Sequence, residues 1–322
     1  MDRPTALARL RDVVTRFRRD HAAAADSWCV ALSGGTDSLA LAAAAAEVLP
    51  TIALIVDHGL QPGSAAVART AREHAMSAGC IGAEVICVGV GTIGGPEAAA
   101  RTARYRALDD ARAGSPVLLA HTLDDQAETV LLGLGRGSGA RSIAGMRPYD
   151  PPWGRPLLGV RRELTRSACA ELGLTPWQDP HNLDPRYTRV RLRNEVLPLL
   201  EEVLGGGVAE ALARTATALR EDNDFLDGSA AEILAGLGGV HVEGLPVTGM
   251  SRLPEVIRRR VIRAWLLAGG AVGLTDKHIR AVDDLVVAWR GQGGVALPSA
   301  GSGERLFAGR RKSSLVLYRE SV

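Results

Sequence analysis

The first half of the chain alternates short, uninterrupted apolar runs with segments of helical periodicity, and this alternation restricts the fold more than any other feature. The apolar runs cover residues 28–32, 52–56, 83–90 and 117–120, and the helical segments cover 38–49, 64–78, 96–113 and 123–134. Runs rich in β-branched residues and without polar alternation are typical of strands buried on both faces of a parallel sheet. Four strand–helix units in succession therefore predict an α/β domain with a doubly wound, mainly parallel sheet.

Composition places the chain among ordinary globular proteins. Of its 322 residues, 46% are apolar and 23% are charged, which excludes a disordered tail, a collagen-like fibre and a coiled-coil rod. The net charge of +2 does not by itself indicate nucleic acid as a partner. The four cysteines lack metal-ligand spacing, and the sequence shows neither a signal-peptide pattern nor an uninterrupted membrane span. These features predict a soluble protein of the reducing cytoplasm with no membrane partner.

The length of the chain and a change of composition near residue 136 predict more than one domain. Residues 135–156 are dense in Gly, Pro and Arg, which is typical of a loop or linker. Helical periodicity then returns, and residues 293–320 have the pattern of short strands and turns. We predict a catalytic α/β domain at 1–145, a linker and helical continuation of that domain at 146–205, and a smaller, mostly helical C-terminal domain at 206–322.

A glycine-rich loop follows the first predicted strand and opens the next helix. Its residues are Ser33, Gly34, Gly35, Thr36, Asp37 and Ser38. Glycines let backbone N–H groups approach a phosphate, a helix N-terminus adds partial positive charge, and an aspartate such as Asp37 can hold Mg²⁺ between phosphates. A glycine turn with a Ser or Asp cap is the simpler alternative, but the strand–loop–helix context favours a phosphate site.

Polar residues also follow the second and fourth predicted strands. They are Asp57, His58, His121, Asp124, Asp125 and Glu128. Because ligands of open α/β sheets bind beyond the carboxyl ends of the strands, we expect these residues and the glycine-rich loop to share one crevice. A histidine with adjacent carboxylates can position magnesium or a nucleophilic amine, although the helix dipole alone also favours acids in a first turn. Arg101, Arg104 and Tyr105 share a helical face that is either part of this site or a solvated basic face.

Arginine is concentrated around the predicted linker. Residues 136–193 contain eleven arginines, no lysines and five acids, a local excess of six positive charges. Such a cluster beside a nucleotide crevice predicts an electrostatic footprint for RNA phosphates. Trp153, Trp177 and Tyr187 lie among these arginines and are candidates for stacking on a base, with burial in the core as the alternative. A second basic group at 305–312 is either a further RNA contact or a solvated hairpin.

The glycine-rich loop resembles the pyrophosphate-binding loop of the N-type ATP pyrophosphatases, which cut ATP between its α and β phosphates. The ordered set SGGTDS, VDHGL, ARTARYRAL and AHTLDDQAETVLLGLGRGSG, together with the later block at 179–193, resembles the tRNA(Ile)-lysidine synthase family over residues 28–200. Three positions depart from that family's pattern: Thr122 stands where a second His is common, His181 where Ser is usual and Val190 where Asn is usual. The length of the chain corresponds to the short form of the family.

The resemblance implies an ATP-dependent carbon–nitrogen ligase that acts on isoleucine tRNA with a CAU anticodon. In that family ATP activates C2 of the wobble cytidine, free L-lysine attacks the adenylated intermediate, and lysidine, AMP and pyrophosphate result. The C-terminal domain is then expected to be an accessory tRNA-binding domain, and a homodimer is among the expectations. Two alternatives stay open at this point: another ATP-pyrophosphatase-class enzyme such as a tRNA thiolase or an amidotransferase-type synthetase, and a non-catalytic nucleotide- or RNA-binding module.

Residue by residue, the resemblance implies three groups of site residues. The predicted catalytic residues are Asp37, His121, Asp124 and Asp125, and Asp37 is also the predicted Mg²⁺ ligand. ATP, used as a substrate, is expected to contact Ser33, Gly34, Gly35, Thr36, Asp37, Ser38, Asp57, His58, Arg101 and Arg104. Lysine and tRNA are expected to contact Asp124, Asp125, Glu128, Arg136, Asp179, Asn182, Asp184, Arg189 and Arg193.

Overall fold

The strand–helix units of the first half assemble into a six-stranded sheet. The computed structural model describes residues 4–59, 63–89, 91, 95–137, 139–239, 244–299 and 304–321, and the chain divides into two units, 1–217 and 218–322. The strands of the first unit are β1 (Trp28–Ala31), β2 (Thr51–Asp57), β3 (Gly82–Cys87), β4 (Val117–Leu118), β5 (Tyr149–Asp150) and β6 (Trp153–Gly154). Their order is β3-β2-β1-β4-β6-β5, and every neighbouring pair is parallel except β5 and β6.

Helices flank this sheet and continue the first unit beyond it. They are α1 (Ala6–His21), α2 (Thr36–Ala46), α3 (Ser64–Ser77), α4 (Pro96–Ala111), α5 (Leu123–Gly135), α6 (Ala140–Ile143), α7 (Arg162–Glu171), α8 (Thr188–Arg191) and α9 (Leu197–Val203). Two 3-10 turns cover Pro156–Gly159 and Pro180–Leu183, and a π-helical turn at Leu192–Val196 joins α8 to α9. A long helix, α10 (Val208–Gly236), begins in the first unit and continues into the second.

Both faces of the sheet are covered, as the doubly wound prediction requires. Trp28 and Val30 of β1 belong to the apolar cluster that includes α2, whereas Cys29 belongs to a separate cluster with Leu108 of α4. Residues 39–45 of α2 are all buried, and α1 and α7 pack against this helix. The carboxylate of Glu171, at the end of α7, accepts hydrogen bonds from the first backbone N–H groups of α1 at 2.8 and 3.1 Å. These contacts fix α7 next to α2, which matters because both helices contribute to the site.

The predicted fold class is confirmed, and the elements of the parallel sheet lie close to their predicted positions. Two features of the first unit were missed. No helix was predicted at Ala6–His21, and residues 135–156, predicted as a loop or linker, contribute β5 and β6 to the sheet. The loop prediction was wrong there because a two-residue strand is too short to show any hydrophobic period. Val90, the last residue of the third predicted strand, lies outside the described residues.

The second unit combines helices with an antiparallel sheet. Its helices are α11 (Val247–Ser251), α12 (Glu255–Ala268) and α13 (Asp276–Val287), and its strands are β7 (Leu245–Pro246), β8 (Val295–Leu297), β9 (Glu304–Arg311) and β10 (Ser314–Ser321). The strand order is β7-β10-β9-β8, and all neighbours are antiparallel. Ile262, Trp265 and Leu266 of α12 lie in its core, and the buried pair Arg258–Asp283 joins α12 to α13. The predicted short strands at the end of the chain thus form a hairpin of two eight-residue strands.

Of the helices that the structure describes, none is both long enough and apolar enough to span a membrane.

Candidate active site

The glycine-rich loop connects β1 to α2 in a shape that only a few residue types can adopt. Gly34 has a φ of +80°, a backbone conformation that side chains with a Cβ rarely adopt, and a Cβ at this position would lie 3.3 Å from Ala71 Cβ. The hydroxyls of Ser33 and Ser38 lie 3.1 Å apart, and the Ser38 hydroxyl donates to the carbonyl of Gly35 at 2.9 Å. The loop is therefore closed by its own side chains, and it leads into the N-terminus of α2, a helix end that can bind an anion.

An apolar cavity of about 320 Å³ lies beyond the carboxyl ends of β1 and β2. Hydrophobic side chains of these strands, α3 and α4 make up most of its wall, and six polar or charged residues complete the lining. They are Ser33, Asp57, His58, Ser64, Arg104 and Asp179. We call this cavity the apolar lobe; a lining of this kind suits a flat heterocycle.

A polar cavity of about 620 Å³ adjoins the apolar lobe, with which it shares Ala31, Ser33, Arg104, Trp177 and Asp179. We call it the polar lobe, and the two lobes together the crevice. Most of the remaining polar lining comes from the glycine-rich loop, from α5 and α7, and from the segments at 178–183 and 193–194. These residues are Gly35, Thr36, Asp37, Ser38, His121, Asp125, Arg162, Arg166, Gln178, Asn182, Arg193 and Asn194. The crevice lies wholly within the first unit, and it brings together the three polar segments that follow β1, β2 and β4.

Arg162, the first residue of α7, joins two of the predicted catalytic carboxylates. Its Nε donates to Asp37 Oδ2 at 3.1 Å and its Nη2 to Asp125 Oδ1 at 2.7 Å. The other oxygen of Asp37 accepts a hydrogen bond from the buried Thr165 hydroxyl. Burial raises the pKa of Asp37 despite the adjacent Arg162. Burial also opposes ionisation of Asp125, but Arg162 and the hydrogen bonds from Thr122 outweigh it, so the pKa of Asp125 lies below its ordinary value.

Glu128 is fully buried, with 0% of its side chain exposed, and it binds arginine from the segment after α8. Arg193 donates to both Glu128 oxygens, at 2.7 and 3.2 Å, and approaches Asp125 Oδ1 at 3.4 Å. Arg189 Nη1 lies 3.8 Å from Glu128 Oε2. Burial raises the pKa of Glu128, and Arg193 acts against that shift. Asp37, Arg162, Asp125, Arg193 and Glu128 thus form one chain of alternating charges, of which all but Glu128 line the polar lobe.

Asp124 differs from its neighbour Asp125, because it does not belong to the lining of either lobe. Its Oδ2 accepts the backbone N–H of Arg162 at 2.9 Å, and its Oδ1 lies 3.7 Å from Arg161. This carboxylate therefore binds the N-terminus of α7. The two adjacent acids predicted to act together point to different places: one to the start of a helix, the other to the crevice.

Two histidines of the crevice each carry a buried nitrogen without a hydrogen-bond partner. Among the described residues, His58 Nδ1 and His121 Nδ1 are two of four buried side-chain polar atoms in this condition. His58 lines the apolar lobe and His121 the polar lobe. Burial lowers the pKa of His121 to about 4, opposed by Asp125 and reinforced by Arg155, Arg104 and Arg101. A buried polar atom without a partner is costly, so each position suits a hydrogen bond from a bound ligand.

The depressed pKa of His121 predicts a specific dependence of stability on pH. As pH falls from about 6.5 towards 4, the unfolded chain binds a proton on His121 and the folded protein does not, so the free energy of unfolding decreases over this window. In His121→Gln, thermal unfolding midpoints measured from pH 7 to pH 4 should therefore decline less steeply than in the wild type. His74→Gln, on α3 outside the crevice, is the matched control. Parallel curves for wild type and His121→Gln would contradict the assignment.

Several predicted substrate residues lie outside the crevice lining. Asp184 pairs with the exposed Arg186 at 2.6 Å, and Arg136 caps the C-terminus of α5. Arg101 stacks over Tyr105, 4.8 Å from its ring centroid, on the exposed side of α4. By contrast, Asp179, Asn182 and Arg193 line the polar lobe as the prediction requires.

Two of the departures from the family pattern have a clear structural setting. Thr122 is buried and forms a capping box with Asp125, donating its hydroxyl to Asp125 Oδ2 at 2.8 Å. Val190 is buried as well, so an apolar side chain suits that position. The side chain of His181 lies outside the described residues.

Sequence reasoning missed several residues of the site. Among them are Arg162, Thr165, Arg166, Trp177, Gln178 and Asn194, where Trp177 had been considered only for stacking on RNA. The concentration of arginine at 136–193 indicated the right region but no individual residue. The π-helical turn at Leu192–Val196 places the consecutive residues Arg193 and Asn194 on one cavity, and no sequence signal predicts such a turn.

Known protein families match both units of the chain. Residues 8–200 match the PP-loop domain family, and residues 245–316 match the TilS substrate binding domain. The tRNA(Ile)-lysidine synthase of Mycobacterium tuberculosis strain H37Rv is 68% identical over 324 residues, which cover 100% of both chains. The chain belongs to the tRNA(Ile)-lysidine synthase family. The synthase of Mycobacterium leprae strain TN, 63% identical over 99% of both chains, belongs with it. The resemblance seen in the sequence is thereby confirmed.

A solved structure supports the fold of this lysidine synthase family member independently. The U34-tRNA thiolase NcsA from Methanococcus maripaludis, solved with its 4Fe-4S cluster, has a TM-score of 0.55 at 17% identity and covers 67% of this chain and 80% of its own. At that identity the likeness shows the fold alone.

Proposed function

We propose that this protein joins free L-lysine to C2 of the wobble cytidine in the CAU anticodon of isoleucine tRNA, with ATP converted to AMP and pyrophosphate. Full-length identity of 68% to a tRNA(Ile)-lysidine synthase carries the proposal. The crevice supports it, because a phosphate-type loop, an apolar lobe and a carboxylate facing the cavity adjoin one another. The product would be lysidine at the wobble position.

The crevice suits the first half-reaction, adenylation of the cytidine. Its apolar lobe accepts the adenine, and the N-terminus of α2 faces the phosphates. Attack by the cytidine oxygen on the α-phosphorus forms a new P–O bond and releases pyrophosphate. Arg104 lines both lobes and so lies where the α-phosphate would join the nucleoside to the leaving group. Positive charge at that point stabilises charge that develops during the transfer.

The second half-reaction needs an acidic group for the lysine. The ε-amine attacks C2, its C–N bond forms as the bond from C2 to the AMP oxygen breaks, and a proton leaves the nitrogen. Of the three acids after β4, Asp125 is the one that both lines the polar lobe and has a lowered pKa. We assign it to the lysine half-reaction: its carboxylate offsets the charges of Arg162 and Arg193, so that the polar lobe can admit the lysine ammonium. Glu128 binds and positions Arg193, and Asp124 fixes the start of α7.

The predicted magnesium site at Asp37 does not fit the side chains as they lie. Both carboxylate oxygens accept hydrogen bonds, one from Thr165 and one from Arg162. A divalent cation bound to Asp37 would stand against the guanidinium of Arg162, and like charges at that distance repel strongly. Nor do the described residues contain a group of three or more His, Cys, Asp or Glu suited to hold a metal ion. The roles assigned above therefore involve only the chain's own residues.

Basic side chains of both units support tRNA binding. The first unit carries the arginine-rich stretch at 136–193. In the second unit, whose 245–316 region matches the substrate binding domain, Arg310 stacks over Trp289 at 4.7 Å and Arg311 over Tyr318 at 5.2 Å. Stacked arginines present their donors in fixed orientations, which suits contacts to RNA phosphates. The homodimer and the cytoplasmic location stay predictions.

Arg189 offers the clearest test of the RNA footprint. The Arg189 side chain is 48% exposed, so it can be replaced without opening the core. Arg193 is less suitable, because it holds the unexposed Glu128 and its loss would lower the free energy of unfolding by about 3–5 kcal/mol by leaving a buried charge unpaired. Arg189→Gln is expected to raise the KM for tRNA several-fold without changing the KM for ATP, and to reduce the salt slope of tRNA binding by about one. Arg9→Gln, on the exposed side of α1, is the control. Equal effects on both substrates would place Arg189 at the nucleotide instead.

The function itself is tested by omission of each substrate. With ATP, L-lysine and CAU-anticodon isoleucine tRNA together, pyrophosphate release should be continuous and lysidine should appear in the tRNA. Without lysine, release should stop near one equivalent per tRNA as the adenylated intermediate forms, and without tRNA it should be absent. Continuous release that needs no lysine would contradict the proposal.

The alternatives considered for the sequence are not favoured. The full-length relatives are lysidine synthases, and the likeness to the thiolase extends to the fold only. Cys29 lies in a different apolar cluster from Cys80 and Cys169, and the described residues contain no group of three or more His, Cys, Asp or Glu that could hold a metal ion.

A further inference from the structure

Four arginines line the polar lobe, and they differ in what neutralises them. Arg162 binds Asp37 and Asp125, and Arg193 binds Glu128 and Asp125. Arg104 lies over the ring of Tyr105 at 5.6 Å. Arg166 has no such partner: within the described parts of the chain, no ion pair, hydrogen bond or ring contact involves it. Among the described residues it is therefore the arginine of the polar lobe that has neither a carboxylate nor a ring contact, so its guanidinium is open to a ligand.

The position of Arg166 follows from helix geometry. It lies four residues after Arg162 on α7, so both side chains project from the same face of the helix towards the polar lobe. Arg162 reaches the buried end of the lobe, where the carboxylates are. Arg166 is exposed and lies on the same wall one turn further along. Thr36, in the first turn of α2, lines the same lobe.

We propose that Arg166 binds the terminal phosphates of the nucleotide, that is, the pyrophosphate that leaves when the cytidine is adenylated. This proposal rests on the proposed function, because it requires ATP in the crevice. The N-terminus of α2 and an unpaired guanidinium face one cavity, so together they offer backbone N–H donors and a two-pronged donor to phosphate oxygens. Arg162 and Arg193 are held by the chain's own carboxylates, and Arg104, over the ring of Tyr105, is assigned to the α-phosphate, so Arg166 is the cation available to the terminal phosphates.

Binding measurements with truncated nucleotides test this role without reference to turnover. Calorimetric titrations of wild type, Arg166→Gln and Arg166→Lys would each use ATP, AMP and pyrophosphate. For Arg166→Gln we expect the Kd for ATP and for pyrophosphate to rise about tenfold or more, as for loss of a charge-assisted hydrogen bond, and the Kd for AMP to stay within about twofold. Arg166→Lys should recover part of the lost affinity, since lysine keeps the positive charge but not the two-pronged donor geometry of the guanidinium.

Controls separate this proposal from the function on which it rests. Arg9→Gln removes an exposed arginine of the same unit outside the crevice and should bind all three ligands as the wild type does. Because Arg166 is exposed and unpaired, Arg166→Gln should unfold at the wild-type temperature in the absence of ligand. If wild type itself bound no ATP, the proposed function would fail before Arg166 was tested.

Three outcomes would overturn the role of Arg166 while the proposed function stands. Unchanged ATP and pyrophosphate affinities in Arg166→Gln would leave this residue as a solvated surface arginine. A higher KM for tRNA with unchanged ATP affinity would show that Arg166 binds a phosphate of the RNA backbone instead. A higher KM for lysine alone would assign Arg166 to the carboxylate of the amino acid.

Discussion

Asp37→Asn is expected to slow adenylation of the tRNA by about 100- to 1,000-fold, the cost typical of removing one preorganised electrostatic group from an active site. Asp37 stands in the first turn of α2 beside the glycine-rich loop and holds Arg162 at 3.1 Å. The amide keeps the size of the side chain but loses the charge that orients Arg162. The measurement is the single-turnover rate of adenylated tRNA formation with ATP and without lysine.

A conservative change next to Asp37 is the control. Thr165→Val removes only the hydroxyl that donates to Asp37 and keeps the buried shape of the side chain. It should cost less in the adenylation rate than Asp37→Asn does, because the carboxylate and its pairing with Arg162 remain. A well-folded Asp37→Asn protein with near-normal adenylation would show that Asp37 serves only to join α2 to α7 through Arg162 and Thr165.

Asp125→Asn is expected to reduce lysidine formation by about 100-fold or more, because a neutral amide no longer offsets Arg162 and Arg193, whose charges then repel the ammonium group of lysine. The amide oxygen can still accept from Thr122, so the start of α5 should stay intact. If Asp125 serves lysine alone, adenylated tRNA should still form and should accumulate with ATP present. Both half-reactions are measured separately, the first without lysine and the second by adding lysine to the isolated intermediate.

Asp124→Asn is the matched control for Asp125→Asn, since the two acids are adjacent in the sequence but face different surroundings. The Asp124 carboxylate binds the first N–H of α7, so its loss should lower stability by about 1 kcal/mol, as for a helix cap, and leave both half-reactions near the wild-type rate. If Asp125→Asn blocked both half-reactions, Asp125 would act through Arg162 on the nucleotide. Wild-type rates of Asp125→Asn in both half-reactions would show that Asp125 only caps the start of α5.

Local patterns in the chain were sufficient to predict the parallel sheet and the place of the crevice. Buried parallel strands are short continuous apolar runs, and such runs stand out in a sequence whose helices are amphipathic or alanine-rich. The residues that follow these runs must lie at one edge of the sheet, so Asp37, Asp57 and His121 were predicted to meet, and they line one crevice. That inference needs only adjacency along the chain and the parallel direction of the strands.

The pairing of charges was not predictable in this way. Arg162 and Arg193 reach Asp125 from elements that follow it by 37 and 68 residues, and no local pattern encodes such distances. The same holds for the different directions of Asp124 and Asp125, which depend on where α7 packs against α2. Sequence neighbours share a region of the fold, but the partner of a charged side chain is decided by which elements pack against it. Tertiary packing therefore decided which acids face the crevice, which arginines are already neutralised, and that Arg166 is not.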